Sequence, residues 1–144
     1  MRRPTPSLQC VGVWLLLVAV LPATAGVRIN EIHYRPKNES TEEEFIELWN
    51  HGEKTVSLAG WRLDRGVDFS FTNQVLPPDT GLVIASNPRR LAGQHPNLKN
   101  IAGPWNGRLG NNGELIRLID ASGKTVDKVR YATEGNWSRR VRGS

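Results

Sequence analysis

The stretch Glu42–Asn50, EEEFIELWN, sets four carboxylates (Glu42, Glu43, Glu44 and Glu47) within six residues, beside Phe45 and Trp49. Carboxylates at this density could work as a general acid and base, or could hold a cation. An acid/base pair needs two groups at a fixed separation, in surroundings that drive their pKa values apart. A calcium loop needs Asp or Asn oxygens closely spaced round a turn, often with a glycine. The stretch carries neither signature. Ile46 and Leu48 alternate with Phe45, Glu47 and Trp49, which is the period of a strand. Alternation sends Glu44 to the side of Ile46 and Leu48, and Glu47 to the opposite side, so the strand does not converge them. The expectation is a strand with a solvated acidic approach, whose charges also discourage edge pairing.

Other reactive residue types fare no better. His33, His51 and His95 are far apart in sequence and lack zinc-ligand spacing. Ser40, Ser57, Ser70, Ser86 and Ser122 lie outside any GxSxG nucleophile turn. Leu109–Glu114, LGNNGE, is glycine-rich but leads into a strand, whereas a phosphate cradle opens a helix. It reads as a β-turn. The sequence therefore predicts no catalytic residue, no metal ligand and no cofactor.

The elements that would position any site lie after a leader. Arg2 and Arg3 precede an apolar or neutral run, Val11–Leu21, and Ala23-Thr24-Ala25 fits the small-x-small cleavage rule. The run is about half of the ~20 residues a membrane span needs. Residues 1–25 thus read as a signal peptide cut before Gly26, with no membrane insertion afterwards and a secreted or extracytoplasmic destination, cell surface or periplasm. Gly26–Ser144 is 119 residues, one domain's worth. Loss of Arg2 and Arg3 leaves 17 basic against 14 acidic residues, a net charge near +3, less basic than a typical nucleic-acid binder. Cys10, the sole cysteine, departs with the leader, so the domain is held by its core without disulfides.

Short strands and turns follow. In VRINEIHY the apolar phase slips between Asn30 and Glu31, which a period-two strand does only at a bulge or on changing sheets. TVSLAGWRLD slips at Gly60, where a bulge or kink is cheap. VDFSF points Val67, Phe69 and Phe71 inward, and LVIAS reads as a fully buried strand. NPRRLAGQ offers an N-cap, a Pro at the first helical position and a Gly to end one short helix. His95–Gly113 is the longest irregular stretch. ELIRLID and KTVDKVRYA form a hairpin with a bulge near Asp127. This pattern predicts an all-β, antiparallel β-sandwich.

In order, INEIHYRP, EFIELWNHGEKTVSLAGWRLD, LPPDTGLVIAS and GRLGNNGELIRLIDASGKTVDKVRYA resemble the lamin-tail domain family of exported bacterial proteins, over nearly all of residues 27–132. The most specific pieces are EFIELWN followed by LAGWRL, and LGNNGELIRLID followed by TVDKVRY. The resemblance implies an immunoglobulin-like sandwich over residues 26–132, without catalytic residues. It also implies a binding or attachment role beside other modules, such as spore-coat-kinase-like domains, nucleases and other hydrolases. No coiled coil precedes the domain, so filament assembly as in nuclear lamins is not implied. Residues 133–144 read as a polar tail, resembling a cut linker to further C-terminal domains.

Candidate contact residues come from exposed aromatics and basic groups. Trp61 shares phase with Leu63 and belongs to the core, while Trp49 ends its strand half exposed. Trp105, in GPWNGR, sits in the long loop, where it either packs over one end of the sandwich or contacts a ligand. Arg89, Arg90 and Arg108 could join Trp105 and Trp49 in a basic, aromatic patch. Lys99 and Arg139-Arg140-Arg142 supply further charge. Asn38 and Asn136 lie in glycosylation sequons, relevant where the host glycosylates exported proteins. The expected function is a secreted, non-catalytic interaction module, with a protein, an anionic polysaccharide or nucleic acid as partner. Two alternatives stand: the N-terminal part of a larger exported enzyme, or a stand-alone binder of DNA or acidic polysaccharide.

Overall fold

Strand periodicity and closely spaced turns produce eleven strands and one helix in the computed structural model, which describes residues 26–34, 36 and 40–132. The leader, both sequon asparagines and the tail after Ala132 lie outside these residues. In chain order the elements are β1 (Val27–His33), a 3-10 turn (Thr41–Glu43), β2 (Phe45–Asn50), β3 (Val56–Ser57), β4 (Arg62–Asp64), β5 (Val67–Ser70), β6 (Val75–Leu76), β7 (Gly81–Ala85), α1 (Pro88–Gln94), β8 (Ile101–Ala102), β9 (Asn106–Gly107), β10 (Leu115–Ile119) and β11 (Thr125–Arg130). They build one sheet in the order β1-β2-β7-β8, a second in the order β11-β10-β4-β5-β9, and a β3-β6 ribbon. This is an immunoglobulin-like β-sandwich. Among the described residues no helix is long and apolar enough to cross a membrane.

The core lies where alternation places it. Ile46 and Leu48 of β2, Leu63 of β4 and Ile116 and Leu118 of β10 are completely buried. Each such side chain contributes roughly 1.5–3 kcal/mol over its exposed state. The unbroken run of β7 is buried on both faces. Leu82 and Ile84 join the main core, while Val83 and Ala85 pack with Leu91 of α1. Asn87 caps α1 by accepting from the Arg90 N–H at 3.1 Å, and Pro88 occupies the first turn. Gly93 does not end the helix as the sequence suggested. Gln94 continues it, and His95 closes it by donating its backbone N–H to Leu91 O.

Each phase slip has a physical cause. In β1, Ile29 pairs with Leu48 and Glu31 with Glu47, so Asn30 is the extra residue of a bulge. In β11, Asp127 pairs with Leu118 and Thr125 with Ile119, so Val126 is extra. These two strands are neighbouring sheet edges, and side chains close the seam. Asp127 Oδ2 accepts from Ile29 N at 2.9 Å, and Arg28 donates to Val126 O at 3.2 Å. Edge groups that would otherwise template another chain are thereby engaged. The third slip is a full change of partner. Leu58 O accepts from Trp61 N, and Gly60 takes a φ of +76° beside Ala121, turning the chain from the ribbon into the five-stranded sheet. The stretch His95–Gly113 is less irregular than expected. It contains β8, the one parallel strand partner in the described sheets, and β9. Two-residue strands carry too little periodicity to be read from sequence.

Candidate interaction site

The four carboxylates of the opening stretch part company at the start of β2. Glu42 and Glu43 stand on the 3-10 turn facing α1. Arg90 donates to Glu43 Oε1 from Nε at 3.1 Å and from Nη2 at 2.8 Å, and to Glu42 at 3.3 Å. Gln94 donates to the same Glu43 oxygen at 2.8 Å. Glu47 accepts from Asn30 at 2.6 Å, beside the β1 bulge. Glu44 departs from the solvated reading: it is 2 % exposed, and its Oε2 accepts from the backbone N–H of Leu109 at 3.0 Å. Burial pushes its carboxyl above the ordinary range, opposed by the Leu109 hydrogen bond and the Arg108 charge. The strand's own parity, set by Ile46 and Leu48, carries Glu44 inward.

Beside Glu44 lies a cleft of about 310 Å³, lined among others by Tyr34, Thr41, Arg108, Asn112 and Glu114. Its second carboxylate is also engaged. Glu114 Oε1 accepts from Gly110 N and from Tyr131 Oη, the latter at 2.9 Å. Burial and the neighbouring Glu114 carboxylate raise the Tyr131 hydroxyl pKa well above its usual value, so it stays protonated and a donor. Glu44 and Glu114 thus pin the Arg108–Gly113 loop to the end of the sandwich through two of its backbone N–H groups, those of Leu109 and Gly110. No cluster of three or more His, Cys, Asp or Glu with ligand geometry occurs among the described residues.

The proposed contact residues are only partly brought together. Trp105 and Glu42 line one shallow cleft, Thr41 belongs both to it and to the Glu44 cleft, and Arg108 lines the latter. Arg90, Trp105 and Arg108 therefore surround the 3-10 turn. Trp49 does not join them. It pairs with Gly81 at the far end of β2, about 13 Å from Phe45 along the strand, and donates Nε1 to Asp79 at 3.3 Å. Trp105 is not an exposed loop aromatic: it is 6 % exposed, packs in the main core, and its buried Nε1 has no hydrogen-bond partner. Arg90 is not a free cation, because two carboxylates hold it. Arg89 and Arg108 are exposed and could still meet a ligand.

Sequence reasoning missed three constellations. Asn50, fully buried at the end of β2, donates to Lys54, Leu76 and Pro77 carbonyls and accepts from Gly52 N. Arg117 holds Asp64 with two hydrogen bonds, of 2.8 and 2.7 Å, and depresses that carboxyl below its usual value. The outer face of the five-stranded sheet carries Arg62, Lys128 and Arg130. The alternation of Lys128 and Arg130 about Val129 could have shown this in the sequence.

The clustered carboxylates of this immunoglobulin-like sandwich all serve internal contacts. Residues 21–133 match the Lamin Tail Domain family, and the chain belongs to it. No curated protein matches the chain. Among solved structures, the chain is similar to the archaellum periplasmic stator protein complex FlaF and FlaG from Sulfolobus acidocaldarius. That similarity has a TM-score of 0.43 at 14 % identity, covering 90 % of this chain and 100 % of that one.

Proposed function

We propose that the chain is an exported, non-catalytic interaction module of the bacterial lamin-tail type, an accessory that attaches neighbouring extracellular domains or itself to a surface. The observation that carries this reading is the placement of Glu42, Glu43, Glu44 and Glu47. Each accepts hydrogen bonds from the fold's own groups, so the acidic stretch serves internal contacts. Family membership over residues 21–133 fits a module of this kind. The leader-like sequence of residues 1–25 supports export. A fluorescent reporter fused after Ser144 and expressed in the native host tests the reading. The account expects a product beginning at Gly26 and a reporter retained on the cell envelope, while an unattached reporter is recovered in the medium. A full-length product inside the cell, or a fusion recovered wholly in the medium, would overturn it.

A further inference from the structure

Directly opposed residues of an antiparallel pair share a face of the sheet. Lys128 of β11 lies opposite Arg117 of β10, and Arg117 lies opposite Asp64 of β4. Arg130 and Arg62 stand two residues from Lys128 and Asp64 along their strands, hence on the same side. The other side belongs to Ile116, Leu118 and Leu63, all completely buried. The five-stranded sheet therefore presents four cations outward across three strands, a width of about 10 Å at the usual strand spacing. Ser70 opposes Arg62 and extends this face onto β5, where Asp68 shares its parity.

Arg117 is committed to Asp64, and Arg62 lies 3.8 Å from the same carboxylate. Lys128 and Arg130 are exposed and have no ion pair among the described residues. No outward position on β4, β5, β10 or β11 is aromatic. Leu115, opposite Arg130, and Ile119, opposite Arg62, share the face, and beside them Lys128 and Arg130 interleave with Asp64, Asp68 and Ser70, which are hydrogen-bond acceptors for hydroxyl groups.

We propose that this face docks an acidic polysaccharide, a chain of carboxylate-bearing sugars. The inference rests on the interaction-module reading and gives it a ligand and a location away from α1. Lys128, Arg130 and Arg62 would meet the sugar carboxylates, and the interleaved acceptors would meet sugar hydroxyls. Duplex nucleic acid fits the face less well, because it presents one charge per ~1.7 Å of axis, a continuous anionic row that Asp64 and Asp68 repel. Single strands favour aromatic platforms, which the face lacks.

Titration calorimetry of the full chain with polygalacturonate and, separately, with duplex DNA tests the proposal. Polygalacturonate is expected to bind at low ionic strength. The slope of log Kd against log salt should be about 2, from roughly 0.7 per contact over three cations. Lys128→Glu/Arg130→Glu should weaken binding at least tenfold, while Arg89→Glu on α1 should leave it within twofold. Should charge reversal impair folding, Lys128→Ala/Arg130→Ala carries the same test with a smaller loss. No binding at low ionic strength, an unchanged Kd in the sheet-face variants, or tighter binding of duplex DNA would each overturn the assignment. Envelope retention of the reporter fusion is independent of this outcome, so loss of the ligand assignment is separable from loss of the module reading.

Discussion

Glu44 Oε2 lies 3.0 Å from the backbone nitrogen of Leu109, joining the first residue before β2 to a loop 65 positions later. The contact explains how a carboxylate in a charged run becomes a buried residue. The parity of β2 turns the side chain inward, and the loop's unpaired N–H needs an acceptor there. Arg90 draws Glu42 and Glu43 outward to α1, so one acidic run is divided between two structural tasks.

Asn50 is the buried polar anchor of the opposite end. Its amide serves three carbonyls, and its oxygen takes the Gly52 N–H. Asn50→Ala leaves these groups buried without partners and is expected to destabilise by about 2–4 kcal/mol. Denaturant unfolding checks the prediction, and a loss below about 0.5 kcal/mol, the range of ordinary surface changes, would contradict it.

Asp64 and Arg117 predict a pH dependence. The Arg117 hydrogen bond is the largest cause of a carboxyl held below its unfolded value of 3.8. A depressed carboxyl stabilises the fold above the unfolded pKa, and the contribution is lost as pH falls through the folded pKa. Asp64→Asn should therefore lower Tm at pH 7, and the gap from wild type should close once pH drops below 3.8 toward 2. An equal gap at pH 7 and pH 2 would show that the pair's charge is not the cause.

Two glycines predict opposite signs. Gly103 has a φ of +127°, and a Cβ there would collide with the carbonyl oxygen of Ala85. Gly103→Ala is expected to cost about 2–4 kcal/mol. A Cβ on Gly93, inside α1, meets nothing within 4 Å, so Gly93→Ala should stabilise by about 0.5–1 kcal/mol. Thermal unfolding of both variants checks the pair, and a shared sign would contradict the backbone geometry.

Local pattern made much of this fold legible. Alternation in Phe45–Asn50 and Leu115–Ile119 marked the core faces, the phase slips marked the Asn30 and Val126 bulges, and Asn87-Pro88 marked the helix start. Pairing across long sequence distances stayed hidden. Nothing near Arg90 announces that Glu42 and Glu43 will neutralise it, while the loop around Trp105 left open whether the ring packs over the sandwich or meets a ligand, and the fold packs it into the core. Gly93 misled because a helix accommodates a glycine in its last turn, which here closes where His95 donates its backbone N–H to Leu91 O. The sheet-face cations were visible as alternation in β11 but acquire meaning only once register sets Lys128 beside Arg117 and Asp64.

The most direct test of the claim that the acidic stretch serves the fold is the stability of Glu44→Gln across pH. Glutamine keeps the acceptor for Leu109 and removes the titration. The Glu44 carboxyl is raised above 4.5 mainly by burial. Its ionisation therefore opposes folding, and the stability of the neutral form is lost as pH rises through the folded pKa. The variant should match wild type in Tm at pH 4 and exceed it at pH 7. A variant that instead loses stability relative to wild type as pH rises would mean that the fold favours an ionised Glu44, the behaviour of a carboxylate built to hold a cation.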